Sequence, residues 1–275
     1  MRIAVTGASG FCGSAVAREA AAQGNDVVCL GRRPGPVGRH VYWDAAGSTP
    51  DVKTADLIIH LAAAVGDRGA DDAYGKVNVD GTRRLLDATG DTTVVWVSSA
   101  SVYRPGPYDH PIREDHPTDR QRTAYGRTKA AGERLALAAG AVVLRPRAVY
   151  GDGDPHLLPR LRRTVRAGAA WLPGPDVPLS LTAVGNLASA CLAARDWPPG
   201  AYNIADAEPY RRDAAVTAVL GVPVRHVPVR LARVASLISP TISPYGIDQV
   251  TDGLVLDIGK ARARGWTPAP GLRTS

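Results

Sequence analysis

Tyr125 and Lys129, in AYGRTK (124–129), are four residues apart and of the types that move protons. On a helix that spacing sets both on one face. An ammonium beside a phenol favours the phenolate and lowers the phenol's pKa, so Tyr125 can serve as general acid or base near neutral pH. Ser99 closes the strand-like run TVVWVSS (93–99) and can hydrogen-bond a substrate carbonyl or hydroxyl next to that tyrosine. A Tyr-x-x-x-Lys pair alone is ordinary surface chemistry. It gains meaning from TGASGFCG (6–13), where Gly7, Gly10 and Gly13 follow one predicted strand and open a predicted helix. In that context Gly7 permits the tight turn and Gly10 lets the backbone approach a pyrophosphate, while Gly13 brings helix and strand together. The helix N-terminus then offers unpaired N–H groups to phosphates. The plainer reading is a strand-to-helix turn.

The second strand ends in CLGRRPG, so Arg32 and Arg33 stand where a cofactor fold selecting NAD carries a carboxylate for the ribose 2′-hydroxyl. A guanidinium pairs bidentately with a 2′-phosphate, which points to NADP (NADPH) over NAD, unless both arginines are solvated surface charges. Asp44, after HVYW (40–43), either accepts a hydrogen bond from an adenine amine or closes a surface turn.

These residues need a scaffold, and the chain supplies an alternating one. RIAV (2–5), DVVCL (26–30), HVYW (40–43), LIIHLAA (57–63), TVVWVSS (93–99) and AVVLRP (141–146) read as strands. Helices are predicted over 14–24, 77–90 and 124–140, with Gly24, Gly90 and Gly140 at their C-terminal caps. Such alternation implies βαβ units and an α/β fold built on a parallel, doubly wound sheet. After Tyr150 it loosens: a loop and helix over 151–168, a Pro-rich crossing segment WLPGPDVPLS (171–180), a helix within 181–195 and a strand AYNIAD (201–206). A further helix, the strand-like VPVRHVPV (222–229) and a Pro/Gly-rich tail complete the chain. The expected layout is a dinucleotide-binding domain over 1–150, with about 176–206 returning to it. A smaller C-terminal substrate lobe takes 151–175 and 207–275.

The bulk numbers exclude several classes. The 275 residues carry a formal charge of +7, but the basic residues are scattered and no aromatics interleave them, which argues against nucleic acid. No apolar run approaches the roughly 20 residues of a membrane span. Three cysteines, Cys12, Cys29 and Cys191, are widely spaced and give neither a disulfide framework nor a metal-ligand pattern. We expect a reduced, cytoplasmic protein.

Taken together, the motifs resemble the extended branch of the short-chain dehydrogenase/reductase superfamily over nearly the whole chain. TGASGFCG is similar to that branch's TGxxGFxG, and HLAA (60–63) to its fourth-strand signature. VNVDGTRRLLDA (77–88) is similar to VNxxGTxxLLxA, and SSASVY (98–103) to the segment with the catalytic serine four residues before a tyrosine. YGRTK carries YxxxK, LRPRAVYG (144–151) matches the next strand and loop, and DIGKARARGWTP (257–268) the terminal segment. The resemblance implies a Rossmann-like fold and hydride transfer at C4 of a nicotinamide. It assigns Tyr125 to proton transfer, Ser99 to orienting the reacting oxygen, and Lys129 to the nicotinamide ribose. It further implies cofactor contacts from Ser9, Phe11, Cys12, Leu61, Ala62 and Ala63, with Pro146 and Val149 flanking the nicotinamide. Asn78 corresponds to a position near the cofactor, or caps a helix.

The branch holds nucleotide-sugar epimerases and dehydratases as well as ketone reductases and hydroxysteroid-type dehydrogenases. Nucleotide-sugar members carry an asparagine where Ala148 stands, and an arginine for the diphosphate where Leu179 stands. No acidic dehydration pair follows the serine either. We therefore expect an NADPH-dependent reductase of a ketone or aldehyde on a small or medium-sized metabolite. The alternatives are an epimerase, dehydratase or ketoreductase of a nucleotide sugar, and a cofactor-sensing protein on the same scaffold. Sensors of that kind lose the Tyr/Lys pair, which is intact here. Expected pocket walls are Val65, Ser101, Tyr103, Arg147, His156 and Trp171, with Arg147 facing an anionic substrate group or else serving the surface. A homodimer through helices 77–90 and 124–140 is the assembly the resemblance implies, with Leu85, Ala131 and Leu135 serving either core or interface.

Overall fold

The structure, a computed structural model, describes residues 1–66, 71–238 and 243–274. Six strands arise early: Arg2–Thr6 (β1), Asp26–Gly31 (β2), Arg39–Tyr42 (β3), Leu57–His60 (β4), Thr93–Val97 (β5) and Val142–Pro146 (β6). Short strands follow at Val149–Tyr150 (β7), Val165–Arg166 (β8), Ala169–Pro173 (β9), Pro178–Leu179 (β10) and Thr182–Ala183 (β11), before Gly200–Ile204 (β12) returns to the main sheet. Tyr210–Arg211 (β13) and Val224–Val227 (β14) are the last strands. The helices are Phe11–Ala22 (α1), Asp71–Gly75 (α2), Thr82–Thr89 (α3), Ala124–Ala138 (α4), Leu157–Arg162 (α5), Val184–Ala193 (α6), Arg212–Leu220 (α7), Val229–Ile238 (α8), Pro244–Thr251 (α9) and Gly259–Arg262 (α10).

The main sheet is seven-stranded and parallel, in the order β12-β6-β5-β4-β1-β2-β3. Its strands are continuous apolar runs because both faces are covered. Ile3, Val5, Leu57, Ile59, Val95 and Leu144 pack on one side with Val16 and Ala20 of α1 and Leu187 and Cys191 of α6. Ala4, Leu30, Ile58, Trp96 and Val143 face the other side with Leu85 of α3 and Ala136 of α4. This three-layer Rossmann-like arrangement matches the expected fold class. Leu85 lies fully in the core, while Ala131 and Leu135 are half-buried. Gly24, Gly90 and Gly140 follow helices with φ of +77°, +55° and +75°, as capping glycines do.

Three local readings change. The helix expected over 77–90 begins with a π-helical turn, Lys76–Gly81, before α3. Gly81 lies against the Ala45 carbonyl, where a Cβ would come within 2.5 Å of the oxygen, so the wide turn brings the backbone close there. The strand read as 57–63 ends at His60 because the next two amides donate to Thr6 Oγ1, from Leu61 at 3.1 Å and Ala62 at 3.0 Å. The crossing segment 171–180 instead contains most of β9, which joins β8 and β14 in a second sheet, and β10, which pairs with β13. Two small apolar clusters support these additions, one around Ala170, Leu172 and Val216 and one around Leu179, Leu181 and Ala215.

Candidate active site

Parallel strands of this kind deliver their carboxyl ends to one edge, where loops carry ligand chemistry. At that edge Gly7 has φ +68° and its N–H donates to the Leu30 carbonyl at 3.0 Å. A Cβ on Gly7 would stand 2.9 Å from the Ala62 nitrogen, and one on Gly13 would stand 2.2 Å from the Gly7 carbonyl oxygen. Both positions therefore exclude side chains. Gly10 is exposed and caps α1 without a side-chain hydrogen bond, and no acidic residue occupies the first turn. The positive end of a twelve-residue helix is thus left open beside the loop, which fits a dinucleotide phosphate. Ser9 is exposed, and Phe11 and Cys12 are half-buried in the first turn. Burial pushes the Cys12 thiol up to about 12, so it stays protonated.

Arg32 and Arg33 are exposed at the end of β2. Asp44 closes its own turn, accepting the Ala46 amide on Oδ1 at 3.0 Å. Leu61, Ala62 and Ala63 follow the end of β4, with the Leu61 and Ala62 amides donating to Thr6 Oγ1. Asn78 is fully buried and acts as a clip: its Oδ1 accepts from the Ala64 amide at 2.8 Å, and its Nδ2 donates to the Ala64 carbonyl and to Thr128 Oγ1. It caps no helix.

Ser99 leaves β5 and caps a single 3₁₀ turn, accepting the Ser101 amide at 3.2 Å. Tyr125 is the second residue of α4, whose N-cap Thr123 accepts from the Gly126 amide at 3.0 Å. Burial raises the Tyr125 pKa to about 12, and the neighbouring Ser99 hydroxyl acts in the opposite direction. Lys129, one turn on, is buried: its ammonium donates to the Val97 carbonyl at 2.7 Å and lies 3.7 Å from the Trp96 ring centroid. Burial lowers it to about 7. The expected depression of the tyrosine pKa by this lysine is not found, since burial, Ser99 and Cys12 are what shift the phenol. Desolvation governs both groups, and the ammonium is directed at a carbonyl.

The pocket-wall candidates separate. Tyr103 is not on a surface: it is 2% exposed, its hydroxyl donates to Asn203 Oδ1 at 2.5 Å and accepts from Arg145 Nη1 at 2.9 Å. Its expected role in the wall is corrected to a core one, because an aromatic body with a doubly bonded hydroxyl satisfies itself inside. Ser101 Oγ is buried with no partner among the described residues. Arg147 is 4% exposed and donates to the Ser180 and Gln249 carbonyls, each at 2.9 Å; it is no surface residue. Val65 is exposed, His156 is exposed at the start of α5, and Trp171 is on β9 with the Arg225 guanidinium 5.6 Å from its ring centroid. Pro146 ends β6, and Val149 starts β7, which pairs with β11.

Several residues beneath the site were not singled out from sequence. Glu133, one turn past Lys129, receives the Arg145 guanidinium, with Nη2 to Oε1 at 2.6 Å, and the hydroxyl of Ser98. This buried pair ties α4 to β6 and to the end of β5 just before Ser99. His60 pairs with Thr6 at 2.7 Å, and burial lowers it to about 3. The visible signal was a charged residue inside an apolar strand, as in LRP, and an acid at helical spacing from the lysine. A depression of about 550 Å³ at the opposite edge of the sheet is lined by Met1, Asn25, Asp56, Arg195 and Asp196 and contains no tyrosine–lysine pair.

Fold and site together define a nicotinamide-dependent short-chain dehydrogenase/reductase of the extended type. The chain belongs to the NAD dependent epimerase/dehydratase family, whose profile matches residues 3–205. It is 33% identical over 195 residues to 2-alkyl-3-oxoalkanoate reductase of Stenotrophomonas maltophilia (strain K279a), covering 63% of this chain and 58% of that protein. It is 29% identical over 266 residues to a Stigmatella aurantiaca enzyme, 4-hydroxy-2-methyl-3-oxo-4-farnesyl-3,4-dihydroquinoline-1-oxide ketoreductase, covering 86% and 79%. Among solved structures, MoeE5 in complex with UDP-glucose and NAD superposes with a TM-score of 0.78 at 28% identity, covering 99% of this chain and 95% of that one. No helix among the described residues is long and apolar enough to cross a membrane, and no metal-ligand cluster occurs among them.

Proposed function

We propose that this protein is an NADPH-dependent reductase of a ketone or aldehyde on a small or medium-sized metabolite. What supports the reading is that the Ser99 hydroxyl hydrogen-bonds Tyr125, which also feels Cys12 in the first turn of α1, with Lys129 one turn along α4 and Arg32 and Arg33, not a carboxylate, at the end of β2. The cofactor would be held by the Gly7–Gly13 loop, Asp44, the Leu61–Ala63 backbone, Lys129, Pro146 and Val149, and its chemistry is hydride transfer at the nicotinamide. Tyr125 gives its proton to the substrate oxygen, and Ser99 holds that oxygen. Lys129, one turn along α4, would hold the nicotinamide ribose and favour the phenolate of Tyr125. The two-lobe division expected from sequence belongs to this reading. So does a homodimer through α3 and α4, with Ala131 and Leu135 at the seam and Leu85 left in the core. The two ketone-reducing relatives support the chemistry, although the match spans only 58% of the first of them.

The second reading, a nucleotide-sugar epimerase, is favoured by the likeness to MoeE5 with its UDP-glucose and NAD. One experiment addresses both. Purified protein is examined for bound NAD and then titrated with NADPH and NADH, alongside Arg32→Ala. Tight NADPH binding that the substitution weakens by about 1–3 kcal/mol, with NADH spared, supports the reductase. Equal losses for both cofactors remove the 2′-phosphate role, and stoichiometric NAD in the purified protein favours the epimerase.

A further inference from the structure

Arg147 is a buried cation with no counterion at ion-pair distance among the described residues. Its guanidinium is held by two backbone carbonyls, Ser180 on β10's exit and Gln249 in α9, and its Nε has no partner among the described residues. No carboxylate there reaches ion-pair distance of it. Asp252 acts on it electrostatically but is itself drawn to Arg122, 3.8 Å away. The phenols of Tyr108 and Tyr245 are its other electrostatic neighbours. Burying a charge with neutral partners alone is costly, and desolvation lowers this arginine to about 10, which leaves it charged at neutral pH.

Its location gives that cost a use. Val97 of β5 pairs with Leu144 of β6, and the Ser98 amide donates to the Leu144 carbonyl at 2.7 Å. Ser99 and Arg147 therefore leave adjacent strands at the same edge, with strand spacing of about 4.8 Å. Two more buried polar atoms on this side lack partners among the described residues: Ser101 Oγ, two residues past Ser99, and His116 Nε2, whose ring is 5.8 Å from the Tyr108 ring. By contrast, Ala148 and Leu179, the positions where nucleotide-sugar members carry their polar contacts, pack into one apolar cluster with Leu181 and Tyr150. That cluster offers a diphosphate nothing, and the one guanidinium of Arg147 pairs bidentately with an anion whose single charge it balances, as a carboxylate's is, while leaving part of a diphosphate's charge unmet.

We propose that Arg147 anchors a carboxylate on the substrate, so that the protein reduces an oxo acid whose ketone is within a few bonds of its carboxylate, such as a 3-oxo acid. The inference rests on the reductase reading. The ketone carbon gains the hydride and its oxygen gains the Tyr125 proton, giving the hydroxy acid while NADPH becomes NADP⁺. The carboxylate is unchanged and serves only to hold the substrate.

The test compares a freshly prepared medium-chain 3-oxoalkanoate with its methyl ester, following NADPH absorbance with the intact protein. The expected kcat/KM for the acid exceeds that for the ester by about 10- to 100-fold, through KM, the span of one charge-assisted contact. Arg147→Met is expected to erase the preference and Arg147→Lys to restore part of it, with NADPH affinity as the folding control. If the variants do not fold, the acid-to-ester ratio of the wild-type protein decides. An ester reduced as well as the acid overturns the carboxylate site while leaving the reductase standing. Turnover of neither, with NADPH bound, overturns the oxo-acid assignment; failure to bind NADPH overturns the reductase reading itself.

Discussion

Arg145 and Arg147 are two residues apart and equally buried, yet the protein treats them in opposite ways. Arg145, inside β6, meets Glu133 through several hydrogen bonds and also engages Tyr103 and the Glu114 carbonyl. The carboxylate holds its pKa above the ordinary guanidinium value despite burial. Arg147, just beyond the strand, has carbonyls only, and burial draws its pKa down. The first belongs to a finished network that joins β5, β6 and α4. The second lies just past the strand, with an Nε that has no partner among the described residues. One guanidinium is closed into a network, and the other keeps a donor free, the one a substrate carboxylate would take.

The largest effect that separates these regions is catalytic. Tyr125→Phe keeps the aromatic body and the helix, and removes only the proton. Turnover is expected to fall by about 10²–10⁴-fold, with NADPH affinity nearly unchanged in a binding titration. Retained activity would remove Tyr125 from proton transfer.

Next comes the finished network itself. Glu133→Gln leaves the Arg145 guanidinium buried without its carboxylate, a change worth about 3–5 kcal/mol of stability. Arg122→Ala removes a partner that is 43% exposed from Asp248, which keeps Arg233, and is expected to cost less than about 1 kcal/mol. Urea unfolding of both variants checks the contrast, and equal losses would mean that the buried pair has no special weight.

Much of this was readable in advance wherever the information is local. Alternation of apolar runs and helices placed all seven strands of the main sheet, and the capping glycines marked helix ends, because both depend on neighbours a few residues away. The glycine loop was legible for the same reason. Tyr103 was not: four residues past Ser99 it reads as a pocket residue, but Asn203 and Arg145, far along the chain, draw its hydroxyl inside. The rest position of Lys129 depends on Val97 and Trp96, and the isolation of Arg147 on what α9 fails to bring it. Those are tertiary facts with no local signature.

A packing test sharpens the cofactor side. Gly13→Ala would drive a methyl into the Gly7 carbonyl, 2.2 Å away by backbone geometry, so the helix must shift from the strand it caps. Such overpacking typically costs about 1–3 kcal/mol, and the shift should weaken NADPH binding as well. Gly47→Ala, with nothing within 4 Å, is the matched control and is expected to be close to neutral. Thermal midpoints and cofactor affinity measured together would show whether the loop tolerates the methyl.

The smallest effect is a pH dependence from Lys129. Its pKa of about 7 is below its ordinary 10.5, so between those values the unfolded chain holds a proton that the folded one has released. Stability must then rise with pH across that window, by at most about 1.4 kcal/mol per unit. Cys12, Cys29 and Cys191, all raised by burial from an ordinary 9.0, work in the opposite sense mainly above pH 9, and His60, lowered from 6.5 to about 3, acts only below 6.5. Urea midpoints at about pH 7 and pH 8.5 therefore isolate the lysine. The wild-type protein is expected to gain stability over that interval and Lys129→Met to lose the gain. A flat wild-type profile would mean that the ammonium is better solvated than its seat between Val97 and Trp96 implies, and that this seat is as open to water as the substrate side.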